Sequence, residues 1–359
     1  AHRTIGDYAY SIIAKYFQNT DTRILAMTAT LPSEKEKAKE IVTRLRIKNL
    51  IERSDESPDV KPYIQKTETE WVRVDLTKEM KAIQMCIKLA LEERYKELRK
   101  NGLRLSDNKS LSQLLNARQY VLTQNRRSAK PLFTAIRITY ALNIFEAHGI
   151  TPFLKFCDRT KEKKGAGIKD LFEIDPNFTR AISLAKNQQS NGLEHPKIDR
   201  LVDILHDVES KVLIFSSYRD SVNVIHQKLL DMNISAEILI GKSGETGLKQ
   251  KKQIETVQRF RDGVTKALIA TRVGEEGLDI SEVNLVIFYD NVPSSIRFIQ
   301  RKGRTGRKDK GRLIVLIAKN TIDETYYFIG KRKIESAKNM GNKMIKHLEK
   351  DEKVLDDFF

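Results

Sequence analysis

The feature that most constrains the fold of this chain is a regular alternation of short apolar runs with amphipathic stretches, which begins near residue 195. The stretches between the runs, such as 221–232 and 250–261, carry apolar residues at helical spacing. Short apolar strands that alternate with amphipathic helices are typical of a parallel sheet covered by helices. We therefore predict an α/β domain here, with strands at 212–216, 236–240, 267–270, 285–289 and 313–317.

The middle of the chain has a different pattern. Apolar residues recur at helical spacing from Met80 to Leu98, and further helix-like stretches occupy 111–123 and 131–148. A polar, proline-containing segment at 54–62 precedes this region, and a basic loop with two glycines lies at 158–169. We predict a mainly helical region between two α/β parts. The expected domains are 1–56, the end of a first α/β domain; 57–192, the helical insertion; 193–337, a second α/β domain; and 338–359, a basic C-terminal helix or tail.

Charge and composition restrict the kind of partner. The chain of 359 residues has 65 Lys and Arg against 48 Asp and Glu, a formal charge of +17. An excess of this size favours a polyanion, and nucleic acid is a better candidate than an anionic membrane surface. No apolar run is long enough to span a bilayer and no signal peptide is recognisable, so we expect a soluble, cytoplasmic protein, associated with the nucleoid if the source is prokaryotic. Cys86 and Cys157 are too few for a disulfide framework or a zinc site, and no metal ligands are assigned.

Two glycine-containing strings carry the chemistry. The first is Gln-Arg-Lys-Gly-Arg-Thr-Gly-Arg at 300–307, in which glycines permit close approach of a ligand, while Arg304 and Arg307 supply planar, permanently charged groups suited to phosphate oxygens. The second is Ala-Thr-Arg-Val-Gly-Glu-Glu-Gly-Leu-Asp at 270–279, which follows a strand candidate. Open α/β sheets bind their ligands at the carboxyl ends of the strands, which is where this string lies.

These strings resemble motifs VI and V of superfamily-2 helicases. Weaker matches respect the same order: Thr28-Ala29-Thr30 is similar to motif III, 215–218 to motif IV, and His2 to the end of a DEAH box. The strings at 57–63, 71–76, 273–279, 288–290 and 293–297 resemble more narrowly the archaeal Hef and Fanconi anaemia group M family of DNA helicases.

The resemblance implies RecA-like motor lobes that use ATP and Mg2+, and an insertion that binds forked or branched DNA. It assigns catalytic roles to Gln300, Arg304 and Arg307 and nucleotide contacts to Gly277, Asp279 and Gly303. The residues expected at the DNA are Ser216, Thr271, Arg272 and Gly274 in the motor lobe and Arg126, Arg127, Lys130, Lys163 and Lys164 in the insertion. Coupling between the nucleotide and DNA sites is assigned to His2, Thr28 and Thr30.

The sequence departs from a complete motor in one respect. It contains neither the G-x-x-x-x-G-K-[ST] phosphate loop nor an acidic pair placed to hold magnesium, and we interpret Asp323 and Glu324 as surface or helix-cap acids. We therefore expect the first motor lobe to be supplied in cis or in trans, and the chain alone not to hydrolyse ATP. Two alternatives stay open: a non-enzymatic module that binds branched DNA, and an RNA-directed superfamily-2 relative.

Overall fold

A computed structural model of the protein describes residues 9–17, 20, 22–28, 32, 34–51, 53, 57–63, 67–106, 110–165, 167–242, 247–275, 280, 283–305 and 311–337. Of the predicted site residues, His2, Thr30, Gly277, Asp279 and Arg307 lie outside these ranges. The described part of the chain contains no helix with both the length and the apolar character needed to cross a membrane.

The N-terminal part contains two helices, α1 (Ala9–Tyr16) and α2 (Lys35–Leu45). They pack through a small core of Ala14, Ile41 and Leu45. The apolar run that ends at Thr28 adopts irregular backbone, and Leu25 within it is 85% exposed. A strand needs neighbouring strands to pair with its backbone groups, and the described residues supply none here.

The α-helices that the structure describes in the insertion are α3 (Lys78–Lys100), α4 (Leu111–Gln124), α5 (Ala129–His148), α6 (Ile150–Lys161) and α7 (Pro176–Ser190). They share one apolar core, to which α3 contributes the predicted stripe from Met80 to Leu98. The predicted helices at 111–123 and 131–148 are thus confirmed. Helix α6 continues to Lys161, so the first turn of the predicted basic loop is helical instead. Both cysteines are buried in this core.

The sheet domain is built on a six-stranded sheet in which the paired strands all run parallel. Its strand order is β1-β6-β5-β2-β4-β3. The strands are β1 (Thr67–Val74), β2 (Val212–Phe215), β3 (Ala236–Leu239), β4 (Ala267–Ala270), β5 (Leu285–Phe288) and β6 (Gly311–Ala318). The predicted strands are all present, and none of their ends differs from the prediction by more than two residues. Strands β2, β4 and β5 are buried throughout, as expected for a sheet covered on both faces.

Helices cover the sheet on both faces, with one apolar core on each side. They are α8 (Pro196–His206), α9 (Arg219–Asp231), α10 (Gln250–Arg261), α11 (Ser295–Lys302) and the helical residues 322–337. The predicted helix at 250–261 is confirmed, and the one predicted at 221–232 begins two residues earlier.

Strand β1 changes the domain boundary that the sequence suggested. Residues 67–74 were assigned to the helical insertion, but they pair with β6 along their whole length, from Thr67 opposite Gly311 to Val74 opposite Ala318. Only Val72 of the strand is buried, because β1 lies at the edge of the sheet and exposes its charged side chains. The strand therefore lacks the apolar run that revealed the others. The insertion leaves the sheet domain after β1.

The parallel order brings distant segments to one edge of the sheet. Because every strand points the same way, the residues that follow β2, β4, β5 and β6 all lie at the carboxyl edge. The helical insertion begins at this same edge, since α3 starts shortly after Val74.

Candidate active site

A fully buried arginine lies at the centre of the carboxyl edge. Arg301, on α11, has a relative exposure of 0%, and its guanidinium lies 5.2 Å and 5.5 Å from the ring centroids of Phe215 and Phe288. A buried charge is tolerated only if it is paired and hydrogen-bonded. Its Nε donates to Oε1 of Glu275 at 2.8 Å, which satisfies that requirement.

Glu275 also accepts hydrogen bonds from a second arginine of the same helix. Nε of Arg297 donates to both carboxylate oxygens of Glu275, at 3.0 and 2.9 Å, and its Nη2 donates to Oε1 at 2.8 Å. Arg297 and Arg301 are four residues apart, so they lie on one face of α11. The first turn of this helix is capped by the Ser294 side chain, which accepts from the backbone N–H of Arg297.

Asp290, after β5, joins the same cluster. Its Oδ2 accepts from the backbone N–H of Ser217 at 2.9 Å, and its Oδ1 lies 3.4 Å from Nη1 of Arg301. Burial by itself would raise the pKa of Asp290, but the charge of Arg301 and smaller contributions from its other neighbours hold that pKa below its ordinary value. Asp290, Glu275, Arg297 and Arg301 are called the buried ion-pair cluster below.

Arg304 lies at the border of this cluster. Its Nη2 donates to the backbone carbonyl of Glu275 at 2.8 Å, and the residue is only partly buried. Gln300 and Gly303 are also partly buried. The structure describes two arginines of the string at 300–307. Arg301 is enclosed by protein, whereas the guanidinium of Arg304 is hydrogen-bonded to Glu275 and the residue remains partly exposed to solvent. A ligand at the carboxyl edge can therefore reach Arg304 but not Arg301.

Three of the residues predicted to contact DNA are buried, namely Ser216, Thr271 and Gly274. The side chain of Ser216 is fully buried, and its hydroxyl has no hydrogen-bond partner among the described residues. Gly274 is buried as well, and a Cβ there would lie 2.6 Å from Cβ of Ala270. A glycine is needed at position 274 because the turn packs directly against β4. The motif alone does not reveal this structural reason. Thr271 is 7% exposed, and Arg272 is exposed.

The other predicted residues are spread over the molecule. Arg126, Arg127, Lys163 and Lys164 of the insertion are exposed. Lys130 is exposed as well, but its ammonium group forms an ion pair with Asp170. Thr28 is partly buried in the N-terminal part.

A buried lysine and aspartate also lie at the carboxyl edge, and they contradict the interpretation of Asp323 as a surface acid. Nζ of Lys197 lies 3.0 Å from Oδ2 of Asp323, and both side chains are 0% exposed. The lysine also donates to the backbone carbonyl of Tyr289 at 2.7 Å. Asp323 accepts from the backbone N–H groups of Asn291 and Ala318. It therefore joins the ends of β5 and β6 rather than facing solvent.

The described ranges hold no cluster of three or more His, Cys, Asp or Glu side chains that could bind a metal ion.

The sequence predicted no individual role for the four residues of the buried ion-pair cluster, although all four lie within strings that resemble helicase motifs. These residues are Glu275, Asp290, Arg297 and Arg301. One signal was available, because the spacing of Arg297 and Arg301 places two arginines on one helical face. Their acidic partners come from other loops, which helical spacing does not reveal.

Comparisons with known proteins agree with this geometry. Residues 196–309 match the family described as helicase conserved C-terminal domain. The chain is similar to a putative ATP-dependent RNA helicase of Methanocaldococcus jannaschii, with 34% identity over 339 residues that cover 91% of this chain and 43% of the relative. It is also similar to the Fanconi anemia group M protein of Gallus gallus, with 31% identity over 96% of this chain and 20% of the relative.

The crystal structure of the Pyrococcus furiosus Hef helicase domain is a close structural match. Its TM-score is 0.67 at 32% identity, over 91% of this chain and 71% of that chain. Fold and site thus define the second RecA-like lobe of a superfamily-2 helicase, together with a helical insertion. The chain belongs to the Hef and Fanconi anaemia group M family of DNA helicases. It spans less than half the length of the two curated relatives named above.

Proposed function

We propose that this chain supplies the second motor lobe and the insertion of an ATP-dependent DNA helicase or translocase. Its substrate would be forked or branched DNA in replication-fork repair and recombination. The observation that carries the proposal is the setting of Arg304, which is anchored on the backbone of Glu275 beside a buried ion-pair cluster yet remains partly exposed. A positioned arginine of this kind stabilises the charge that develops on a transferring phosphoryl group.

ATP is the group that this site would take, and it supplies the phosphoanhydride bond whose hydrolysis drives the motor. Arg304 would neutralise charge on its terminal phosphate, helped by Arg307 and Gln300, and Gly277, Asp279 and Gly303 would lie near the nucleotide. The Arg304 side chain fits this role, because a partly exposed guanidinium group can donate hydrogen bonds to the oxygens of an anionic ligand. We assign Mg2+ to the first lobe, since no acidic cluster suitable for a metal occurs among the described residues.

The N-terminal part supports a first lobe as partner, in cis or in trans. Several of its large apolar side chains are exposed, including Ile12 at 71%, Tyr16 at 79%, Leu25 at 85% and Met27 at 77%. Apolar surface of this extent is rare on a soluble domain unless another surface covers it. Strands of a first RecA-like lobe would cover it and would give the run at 24–28 its missing neighbours. Thr28 and Thr30, with His2, would then couple that lobe to the DNA.

DNA would be held mainly through its phosphates, by Thr271 and Arg272 in the sheet domain and by basic residues of the insertion. The insertion would recognise a second arm of the DNA through Arg126, Arg127, Lys163 and Lys164. A second candidate substrate is RNA, because the M. jannaschii relative is named as a putative RNA helicase whereas Mph1 of Pyricularia oryzae, 33% identical, is named as a DNA helicase. Competition between forked DNA and duplex RNA for the protein distinguishes the two.

The decisive experiment compares the complete protein with its Arg304→Ala variant. We expect the variant to bind forked DNA within twofold of the wild type but to lose DNA-stimulated ATP hydrolysis by about 10³-fold, as removal of a transition-state arginine commonly does. Arg312→Ala is the matched control, because Arg312 is an exposed arginine on β6 that pairs with Glu70. Near-normal hydrolysis by Arg304→Ala, or a loss equal to that of Arg312→Ala, would refute the proposal. Fork binding without any ATP hydrolysis in the wild type would favour the non-enzymatic module.

A further inference from the structure

The helical insertion contacts the buried ion-pair cluster at the end of α5. The ring of His148, the last residue of that helix, lies over the ring of Tyr218 with centroids 5.3 Å apart. Its Nε2 is 3.7 Å from Oδ2 of Asp290. That distance is too long for a hydrogen bond, so the imidazole acts chiefly as a cover over the carboxylate. His148 and Asp290 are both buried, at 9% and 2% exposure.

Asp290 links this cover to the arginines. Its carboxylate accepts from the N–H of Ser217 and faces Nη1 of Arg301, and its backbone carbonyl accepts from the same Nη1 at 3.2 Å. Arg301 in turn donates to Glu275, whose backbone carbonyl anchors Arg304. A continuous series of contacts therefore runs from a helix of the insertion to Arg304, the arginine assigned to ATP under the proposed function.

Other contacts hold the insertion on the sheet domain without reaching the arginines. Nη2 of Arg159 on α6 donates to the Tyr218 hydroxyl at 2.8 Å and to Asp220 at 2.6 Å. The carboxylate of Glu146 on α5 accepts from the backbone N–H of Ile322 at 2.7 Å. The end of α5 and the following helix α6 are thus both bonded to the sheet domain, which keeps the imidazole of His148 over Asp290.

From this geometry we propose that Asp290 is a positioning residue for the arginines of the ATP site. We further propose that His148 of the insertion shields the Asp290 carboxylate from water. The inference rests on the proposed function, since it assigns the arginines to ATP hydrolysis. Electrostatic interactions strengthen when water is excluded, so the cover makes the attraction between Asp290 and Arg301 stronger. The insertion would therefore be part of the structure that holds Arg304 in place, in addition to any contact it makes with DNA.

A small displacement of a catalytic group is costly. A shift of about 1 Å can lower a rate by roughly 100-fold even when the substrate binds normally. Loss of the Asp290 carboxylate would leave Arg301 with one acceptor fewer. It would thereby loosen the turn after β4 that carries Glu275 and the residues after α11 that carry Arg304. We therefore expect an effect on turnover rather than on binding.

The test uses Asp290→Asn in the complete protein, because asparagine keeps the size of the side chain but presents an amide group to Arg301 or Ser217. We expect kcat of DNA-stimulated ATP hydrolysis to fall between about 10-fold and 100-fold, with KM for ATP and Kd for forked DNA within twofold of the wild type. The matched control is Asp323→Asn, which alters an equally buried acid paired with Lys197, at the end of a neighbouring strand.

A second measurement does not depend on ATP hydrolysis. Amide hydrogen exchange of the 359-residue chain should become faster at 271–275 and 297–304 in both Asp290→Asn and His148→Ala. His148→Phe keeps a ring over the carboxylate and should restore the wild-type exchange at these two segments. Asp323→Asn should accelerate exchange around 289–291 and 318–323 instead.

The kcat values and the exchange rates together decide whether the proposal holds. Loss of kcat in Asp290→Asn but not in Asp323→Asn, with faster exchange at 297–304, supports the proposal. Equal losses in the two aspartate variants would mean that Asp290 has only a structural role, and unchanged exchange in His148→Ala would mean that the insertion does not shield it. Either result overturns the inference. A wild-type protein that does not hydrolyse ATP would contradict the proposed function instead, and the exchange data would still decide whether Asp290 holds the arginines.

Discussion

Arg301 and Glu275 form an ion pair in which both side chains are almost completely buried, with 0% and 1% exposure and a distance of 2.8 Å between Nε and Oε1. The pair joins helix α11 to the turn after β4, two segments that are 26 residues apart in the chain. Because Arg297 shares the same carboxylate, Glu275 is the acceptor common to both arginines, whereas Asp290 pairs only with Arg301.

Glu275→Ala should therefore lower the free energy of unfolding by about 3–5 kcal/mol, because it removes the carboxylate that both arginines share and leaves the buried charge of Arg301 with Asp290 as its remaining carboxylate partner. Urea unfolding followed by circular dichroism measures this change. Glu70→Ala is the control, since Glu70 pairs with Arg312 at 3.2 Å while both side chains are 52% exposed. An exposed pair of this kind contributes at most about 1 kcal/mol. Similar losses in the two variants would contradict the importance assigned to the buried pair.

Gly274→Ala should destabilise the sheet domain by about 1–3 kcal/mol, because the added methyl group would lie 2.6 Å from Cβ of Ala270 and 3.1 Å from Phe215. The thermal midpoint of unfolding reports the effect. Gly241→Ala is the comparison, since its Cβ would meet a methyl group of Val273 at 3.3 Å and the end of the Arg219 side chain at 3.8 Å. If Gly274→Ala is as stable as Gly241→Ala but binds DNA poorly, the glycine serves DNA contact rather than packing.

The stability of the protein should depend on pH through His148. Burial lowers the pKa of His148 from 6.5 to about 4, and the attraction of Asp290 offsets only part of this effect. The unfolded chain therefore takes up a proton below pH 6.5 that the folded protein refuses until about pH 4. The contribution of His148 to the free energy of unfolding should be constant above about pH 7 and should fall by up to about 3 kcal/mol as the pH is lowered to 4.

Comparison of the wild type with His148→Phe isolates this contribution, because the other titrating groups are common to both proteins. His195, whose pKa burial also lowers, acts in the same direction in both. Urea unfolding at several pH values between 4.5 and 7.5 should give a shallower decline for the variant. Parallel curves would indicate that His148 titrates normally in the folded protein.

The basic residues of the insertion should contribute to fork binding in proportion to their phosphate contacts. Replacing Arg126 and Arg127 together, or Lys163 and Lys164 together, with alanine should lower fork affinity. The slope of log K against log salt should become shallower by roughly 0.9 for each lost contact. Lys130→Ala should have a smaller effect, because Lys130 already pairs with Asp170.

Binding of forked and linear DNA across a salt series provides the measurement for these variants. A double replacement of Arg200, which is exposed, and Lys228, which is partly exposed, is the control; both are cations on helices of the sheet domain. Equal losses on forked and linear DNA would make the insertion a general electrostatic clamp. No loss on either DNA would leave it a structural spacer.

Local patterns in the sequence were enough to predict the strands from β2 to β6 and the helices α3, α4, α5, α9 and α10. Strands β2, β4, β5 and β6 are apolar runs because a central parallel strand is buried on both faces. The α3 stripe repeats at helical spacing because one face of the helix meets the core. The positions of the strings at 270–279 and 300–307 and their arginines could likewise be predicted, since a motif is a local arrangement of residues.

Only the tertiary structure decided which residues meet. Strand β1 is charged and lies at the sheet edge, so its pairing with β6, more than 200 residues away, has no local signal. The same holds for Asp323 with Lys197 and for His148 with Asp290, which are 126 and 142 positions apart in the numbering. A sequence specifies the spacing of side chains along one element. The identity of a buried charge's partner depends on the order of strands in the sheet, because that order determines which loops converge at its carboxyl edge.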